Sequence, residues 1–296
     1  MIYNLAALGA ALSWAISGIL SANPSAALGS IAFVRIRMTM VFFMLAAVVL
    51  VTGGWRTVEA SHITPTIISG LVGILAGDAA LFATMNRLGP RRSGILFSSN
   101  AIFSVILGWL FLHEKLGSMT LLGIAIALAG VLLAILFGKR GADVHHWEAV
   151  KGPLAIGVAI GLFAGFCQAV GSIIARPVMT TGVDPIAIAA IRVGIASLGL
   201  TLAMFAGVPA TRAKTALTPR LTAQTALSGF AAMGVGMTLL LYALSGGEVG
   251  IVATLSATTP ALLLPLLWWK TGDLPPPLAW LGAVLVVVGS GMIFVA

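Results

Sequence analysis

The feature that most constrains this chain is a series of unbroken apolar runs. Each is roughly 20 residues long, the length of helix that crosses a hydrocarbon core about 30 Å thick. The stretches 102–112 and 121–137 contain no ionisable side chain at all. The whole chain is 59% hydrophobic and 8% charged, with mean hydropathy +1.11. A soluble domain carries about 25% charge, so there is too little polar surface here to cover a globule in water. The remaining solvent is lipid, where only helices or closed barrels satisfy the backbone. A barrel requires short stretches of alternating polarity, and this sequence has long continuous ones.

The runs predict ten helical spans near 3–22, 28–52, 64–86, 91–112, 117–138, 153–175, 185–207, 221–244, 249–269 and 277–296. Met1 to Ala11 has no basic n-region and no clear cleavage site, so it reads as the start of the first span. The lone Cys167 excludes an intramolecular disulfide and is expected to pack as a small apolar residue. The longest polar stretch, Gly138 to Gly152, carries Lys139, Arg140, Asp143, His145, His146, Glu148 and Lys151. It divides the chain into units at 1–138 and 153–296, joined by a linker at 139–152.

The two units repeat. An offset of 159 residues lays Ser69-Gly70 on Ser228-Gly229, Gly77 on Gly236, Trp109 on Trp268 and Glu114 on Asp273. It also lays Gly130 on Gly289. An offset of 157 aligns the second span with the seventh and places Arg35 on Arg192. Five spans per unit is an odd number, so the second unit enters the membrane upside down relative to the first. Such inverted repeats place a site near the midplane between the units. The expected fold is therefore all-α and polytopic, with two inverted five-helix repeats around a central cavity.

Loop charges set the orientation. The side holding both termini has Arg56, Lys115 and Arg176. The other has Arg87, Arg91, Arg92, Lys139, Arg140, Lys151, Arg212, Lys214, Arg220 and Lys270. The positive-inside rule assigns the second side to the cytoplasm and both termini to the periplasm. The net charge of +8 is thus topological. It is scattered over short loops and does not form a nucleic-acid face.

The segment Trp109-Leu-Phe-Leu-His-Glu114-Lys-Leu116 resembles a signature of the drug/metabolite transporter superfamily: an apolar helix closed by an acidic step and a Leu. Pro260 through Trp268, Gly272 and Asp273 resemble its second copy. Leu12-Ser-Trp14, Arg35 and Arg192 also match the pattern, and the likeness to the ten-span EamA-type branch covers nearly the whole chain. The first half has Ala101 where the second has Pro260, so the resemblance implies a hinge proline in one half alone. It further implies a carrier of amino acids, other metabolites or drugs, often outward, in a bacterial plasma membrane. It implies cytoplasmic termini, whereas the loop charges place them outside.

Asp78 is the one acid well inside a span. A carboxylate at that depth is costly and should face a cavity or a partner, which makes it a candidate for proton coupling or amine binding, or a paired structural acid. Glu114 and Asp273 lie at span ends, where an acid can cap a neighbouring helix. Arg35 and Arg192 either snorkel to headgroups or offer a planar fork to a substrate carboxylate. Ser99, Asn100 and Gln168 could line the cavity, with Trp14, Phe82, Met85, Met237 and Tyr242 as a broad apolar wall. Ser13, Ser98, Ser256 and Thr258 are further polar candidates, although such residues more often bond backbone. One acid among many apolar groups suits a zwitterionic amino acid or neutral metabolite better than a polyanion. Pro260 and Pro265 fall inside the ninth span and could kink it.

An intramembrane enzyme needs a Ser–His pair, a metal cluster or paired acids in the spans. His62, His113, His145 and His146 lie in loops or at span ends, with no metal-ligand spacing. No G-x-x-x-x-G-K-[ST] loop is present to hold a nucleotide. The expected partners are a small-molecule substrate and the lipid bilayer, with no cofactor and no metal, and one copy of the chain suffices.

Overall fold

The computed structural model describes residues 2–113, 117–136, 150–259, 262, 266, 268–269, 272 and 276–295. The regular structure among those residues is helical, with no strand. Helices occupy each expected position: Ile2–Leu28, Ser30–Thr52, Ala60–Leu88, Pro90–Phe97 with Asn100–Leu112, Ser118–Leu136, Leu154–Met179, Pro185–Phe205, Pro219–Gly246, Val249–Ser256 and Pro277–Val295. Seven are long and apolar enough to cross a membrane. Most of the ninth position after Thr259 lies outside the described residues, as do Glu114, Pro260, Pro265, Asp273 and residues 137–149 of the central stretch.

Local chemistry sets the helix starts. The Asp184 carboxylate accepts from the backbone N–H of Ile186 and Ala187 at 2.7 and 3.0 Å, just before Pro185. Thr218 caps the eighth span in the same way ahead of Pro219. These side chains satisfy donors that the first helical turn leaves unpaired.

The outer faces are as apolar as the inner ones. Phe43, Val51, Phe111, Leu202 and Phe205 all stand more than half exposed. In water such a belt would be a liability; against acyl chains it is the required surface. The interior holds small residues and polar groups that bond across helices, as bilayer packing requires.

Equivalent helices of the two halves meet at three places, in antiparallel fashion at the first two. Between the second and seventh spans, Thr39 bonds Ser197 at 2.8 Å while Phe42 abuts Gly194, so one helix runs up as the other runs down. Between the fifth and tenth, a methyl at Gly130 would strike the Gly282 carbonyl at 2.7 Å, and one at Gly289 the Gly123 carbonyl at 2.5 Å. These two contacts exchange under the offset of 159. At the third place, Ser98 Oγ lies 3.1 Å from the Ala257 carbonyl and shares its one proton between it and the Gly94 carbonyl at 3.0 Å. Ser98 and Ala257 are themselves equivalent, so the pseudo-twofold axis passes between them. The halves are inverted repeats.

The third and eighth spans are matched more finely. Each contains a π-helical segment, Gly70–Ala76 and Phe230–Gly236. The fourth span breaks at Ser98-Ser99 and the ninth turns at Ala257-Thr258. The break recurs at the offset of 159 and the π-helical segments one residue later, at 160, as expected for features that serve the site.

Candidate functional site

A small cavity, about 80 Å³, lies between the halves. The first span contributes Trp14, Ser17 and Gly18. Arg37 comes from the second, and Asp78, Leu81, Phe82 and Met85 from the third. Ser93, Gly94 and Phe97 come from the fourth, Gln168 from the sixth, Ala232, Met233 and Met237 from the eighth, and Thr259 from the ninth. Asp78 stands ten residues before the end of the third span and Arg37 seven after the start of the second. At 1.5 Å per residue, they lie about 15 and 10 Å from helix ends on one side. That side is the one opposite the termini.

The polar centre is a buried ion pair. Arg37 Nη2 donates to Asp78 Oδ2, and both side chains are almost wholly enclosed. The Arg37 guanidinium also lies over the Phe82 ring at 4.4 Å and near Phe33 at 5.4 Å. Phe33 and Phe82 meet edge to face, 4.9 Å between centroids. The aromatic faces supply electron density to a cation whose other neighbours are apolar. Trp14 is fixed by its indole N–H, which donates to the Ala232 carbonyl at 3.1 Å.

Among the expected cavity residues, Trp14, Asp78, Phe82, Met85, Gln168 and Met237 border this space. Three do not. Asn100 turns back to the Phe97 carbonyl at 2.8 Å and closes the break in the fourth span. Ser99 is buried against Gly165 of the sixth span. Tyr242 packs on Tyr3, 5.4 Å between rings, at the far end of the eighth span. In each case a local backbone or packing need captured a polar group that the sequence left free. Ser98, Ser256 and Thr258 likewise bond carbonyls.

The alignment of the second span with the seventh also needs correction. A methyl at Gly70 would meet the Arg192 backbone at 2.9 Å, and one at Gly229 would meet the Arg37 side chain at 2.8 Å. Because Gly70 and Gly229 are equivalent, so are Arg37 and Arg192, at an offset of 155. Arg35 instead donates to the Thr211 carbonyl at 3.1 Å, near the loop before the eighth span. Arg192 is fully enclosed, which excludes snorkelling. The offset of 159 pairs Asp78 with Met237, and Arg192 Nη1 indeed lies 3.2 Å from Met237 Sδ. The second half thus repeats the first-half ion pair with a thioether in place of the carboxylate.

This arrangement, two inverted helical repeats enclosing a buried charged cavity, is that of a membrane transporter. The sequence matches the EamA-like transporter family over residues 1–136 and 155–295, and the chain belongs to that family, within the drug/metabolite transporter superfamily. The crystal structure of another protein superposes with a TM-score of 0.73 at 16% identity. It covers 98% of this chain and 95% of its own, which establishes the fold. No curated protein matches the sequence as a relative.

Proposed function

We propose that the chain is a secondary carrier that exports small zwitterionic metabolites, amino acids foremost, and that the cavity is its solute site. One observation carries this reading: a single carboxylate and a single guanidinium stand side by side in a wall whose other members are uncharged, Trp14, Phe82, Phe97 and three methionines the largest of them. A zwitterion carries the complementary pair. Its ammonium can take Asp78 and its carboxylate Arg37, so neither charge leaves water without a partner. The methionines adapt to side chains of different shape. A polyanion would find too few cations on this wall.

The cavity lies toward the side that carries the basic loops. If that side is cytoplasmic, as the positive-inside rule has it, the solute is loaded from within and the termini are periplasmic. Inverted halves support alternating access, since exchanging their conformations opens the opposite side. All the walls come from one chain, which supports action as a monomer, in a bacterial inner membrane, with residues 139–152 joining the two five-helix units. Asp78 is the proposed proton-coupling group: protonation would dissolve its pair with Arg37.

Purified protein in liposomes, given labelled amino acids with and without a pH gradient, tests the proposal. Saturable flux of apolar amino acids is expected, and Asp78→Asn should lose the response to the gradient. No flux of any amino acid above that of empty liposomes would sink this reading in favour of sugars, nucleotide derivatives or drugs.

A further inference from the structure

Arg192 is unsatisfied where it stands. Its side chain is fully buried, and Nε and Nη2 have no hydrogen-bond partner among the described residues. Its contact at Nη1 is the Met237 sulfur. A thioether is a weak acceptor, and a guanidinium left with one in a dry interior is a costly arrangement. The fold nevertheless makes room for it. A methyl at Gly73 would stand 2.9 Å from Nη2, and one at Gly171 3.3 Å from it, so two glycines define its niche. In the first half the equivalent arginine holds Asp78. In the second half no carboxylate bonds the fork, and the charge of Asp78 reaches it without a hydrogen bond.

Met237 separates this fork from the solute, since it lines the cavity on one side and touches Arg192 on the other. Its unbranched side chain has several rotamers of similar energy. A turn about its side-chain bonds would uncover Nη1 to the cavity.

We infer that Arg192, behind Met237, is a second anion site that receives a solute carboxylate. This rests on the reading of the cavity as the solute site and refines it. The solute's ammonium engages Asp78 and its carboxylate engages Arg192, so the Arg37–Asp78 pair need not part. Once uncovered, Nη1 can give that carboxylate a charge-assisted hydrogen bond in place of its weak contact with the sulfur.

The test is calorimetric titration of the full-length protein in detergent with three probes: 4-methylpentanoate, leucinamide and leucine. The first carries the carboxylate alone, the second the ammonium alone, the third both. Arg192→Gln should weaken 4-methylpentanoate binding about tenfold or more, the scale of one charge-assisted hydrogen bond, and leave leucinamide within about twofold. Met237→Asp retains the arginine but fills its fork, and should cause the same selective loss; it keeps the test decisive if the first variant does not fold. Wild-type affinity for 4-methylpentanoate in Met237→Asp would overturn the inference, as would an equal loss of leucinamide. Wild-type protein that binds leucine and leucinamide but not 4-methylpentanoate rejects the second site alone. Protein that binds none of the three rejects the solute site as well.

Discussion

Removing one member of the Arg37–Asp78 pair should destabilise the protein more than removing both. Side-chain exposure is 2% for Arg37 and 5% for Asp78. Asp78→Asn leaves the guanidinium over Phe82 but takes away its counterion, and Arg37 Nε already lacks a partner. Breaking a buried pair in this way costs about 3–5 kcal/mol. Arg37→Met alone strands the carboxylate and should cost a similar amount. Replacing both by Met substitutes apolar volume beside Phe33 and Phe82, and such exchanges are near neutral, within about 1–2 kcal/mol. For a chain of this length about 2 °C of melting temperature corresponds to 1 kcal/mol, so each single variant should fall roughly 6–10 °C and the double only about 2–4 °C. Tryptophan fluorescence of purified protein melted in one detergent gives all four corners of the cycle. Additive losses, with the double variant melting lowest, would refute the idea that the two charges are buried as a unit. Gradient-driven transport should be lost in all three variants regardless, which separates the structural role from the functional one.

Gly289→Val should separate the fifth and tenth spans, because the added atoms meet the Gly123 carbonyl and Ala127 nitrogen, which cannot yield; a loss of about 1–3 kcal/mol is expected, read as a lower melting temperature. Gly291→Val is the control, with nothing within 4 Å, and should melt like wild type. Ser98→Ala removes one hydrogen bond at the pseudo-twofold axis and should cost about 0.6 kcal/mol, the usual scale in bilayers; a loss several times larger would show that this contact does more than join the halves. Met233→Trp should fill the cavity, abolishing solute flux in liposomes while the melting temperature stays within a few degrees of wild type.

The spans were legible because lipid imposes one strong rule, and runs such as 121–137 obey it without exception. Asp78 was legible for the same reason, as an isolated violation. Its partner was not. Arg35 and Arg37 are two residues apart, so a helix turns them to nearly opposite faces, and nothing in the apolar pattern says which faces inward. The Ile-Arg step shared by residues 36–37 and 191–192 was the available signal. The gap-free offset that suited the third to fifth spans does not carry into the second, because the loops after it differ in length. Asn100 misled because a break in a membrane helix consumes polar groups to satisfy its own backbone, and Ser99 because its hydroxyl is packed away against Gly165. The π-helical segments left no trace, since Gly70-x2-Gly73-x3-Gly77 reads equally well as ordinary helix packing.

The repeats match in shape and differ in chemistry at their centre. Gly236 packs on Trp14 and its mate Gly77 on Cys167, so Trp14 and Cys167 are equivalent, as are Asp78 and Met237. Only the arginines are shared. On the alternating reading, a solute would meet tryptophan, arginine and aspartate facing one side, and cysteine, arginine and methionine facing the other. That difference sets the concentration at which each side saturates, but it cannot by itself drive net movement, because an uncoupled carrier leaves the equilibrium across the membrane unchanged. Net export therefore requires either a solute gradient or an ion whose binding differs between the two states. Among the described residues Asp78 is the one acid at either centre, so the proposed proton coupling enters through the first half. Liposomes loaded with amino acid at equal concentration on both sides should show exchange without accumulation until a pH gradient is imposed, and accumulation in its absence would remove the carrier from the uncoupled and the proton-coupled classes alike.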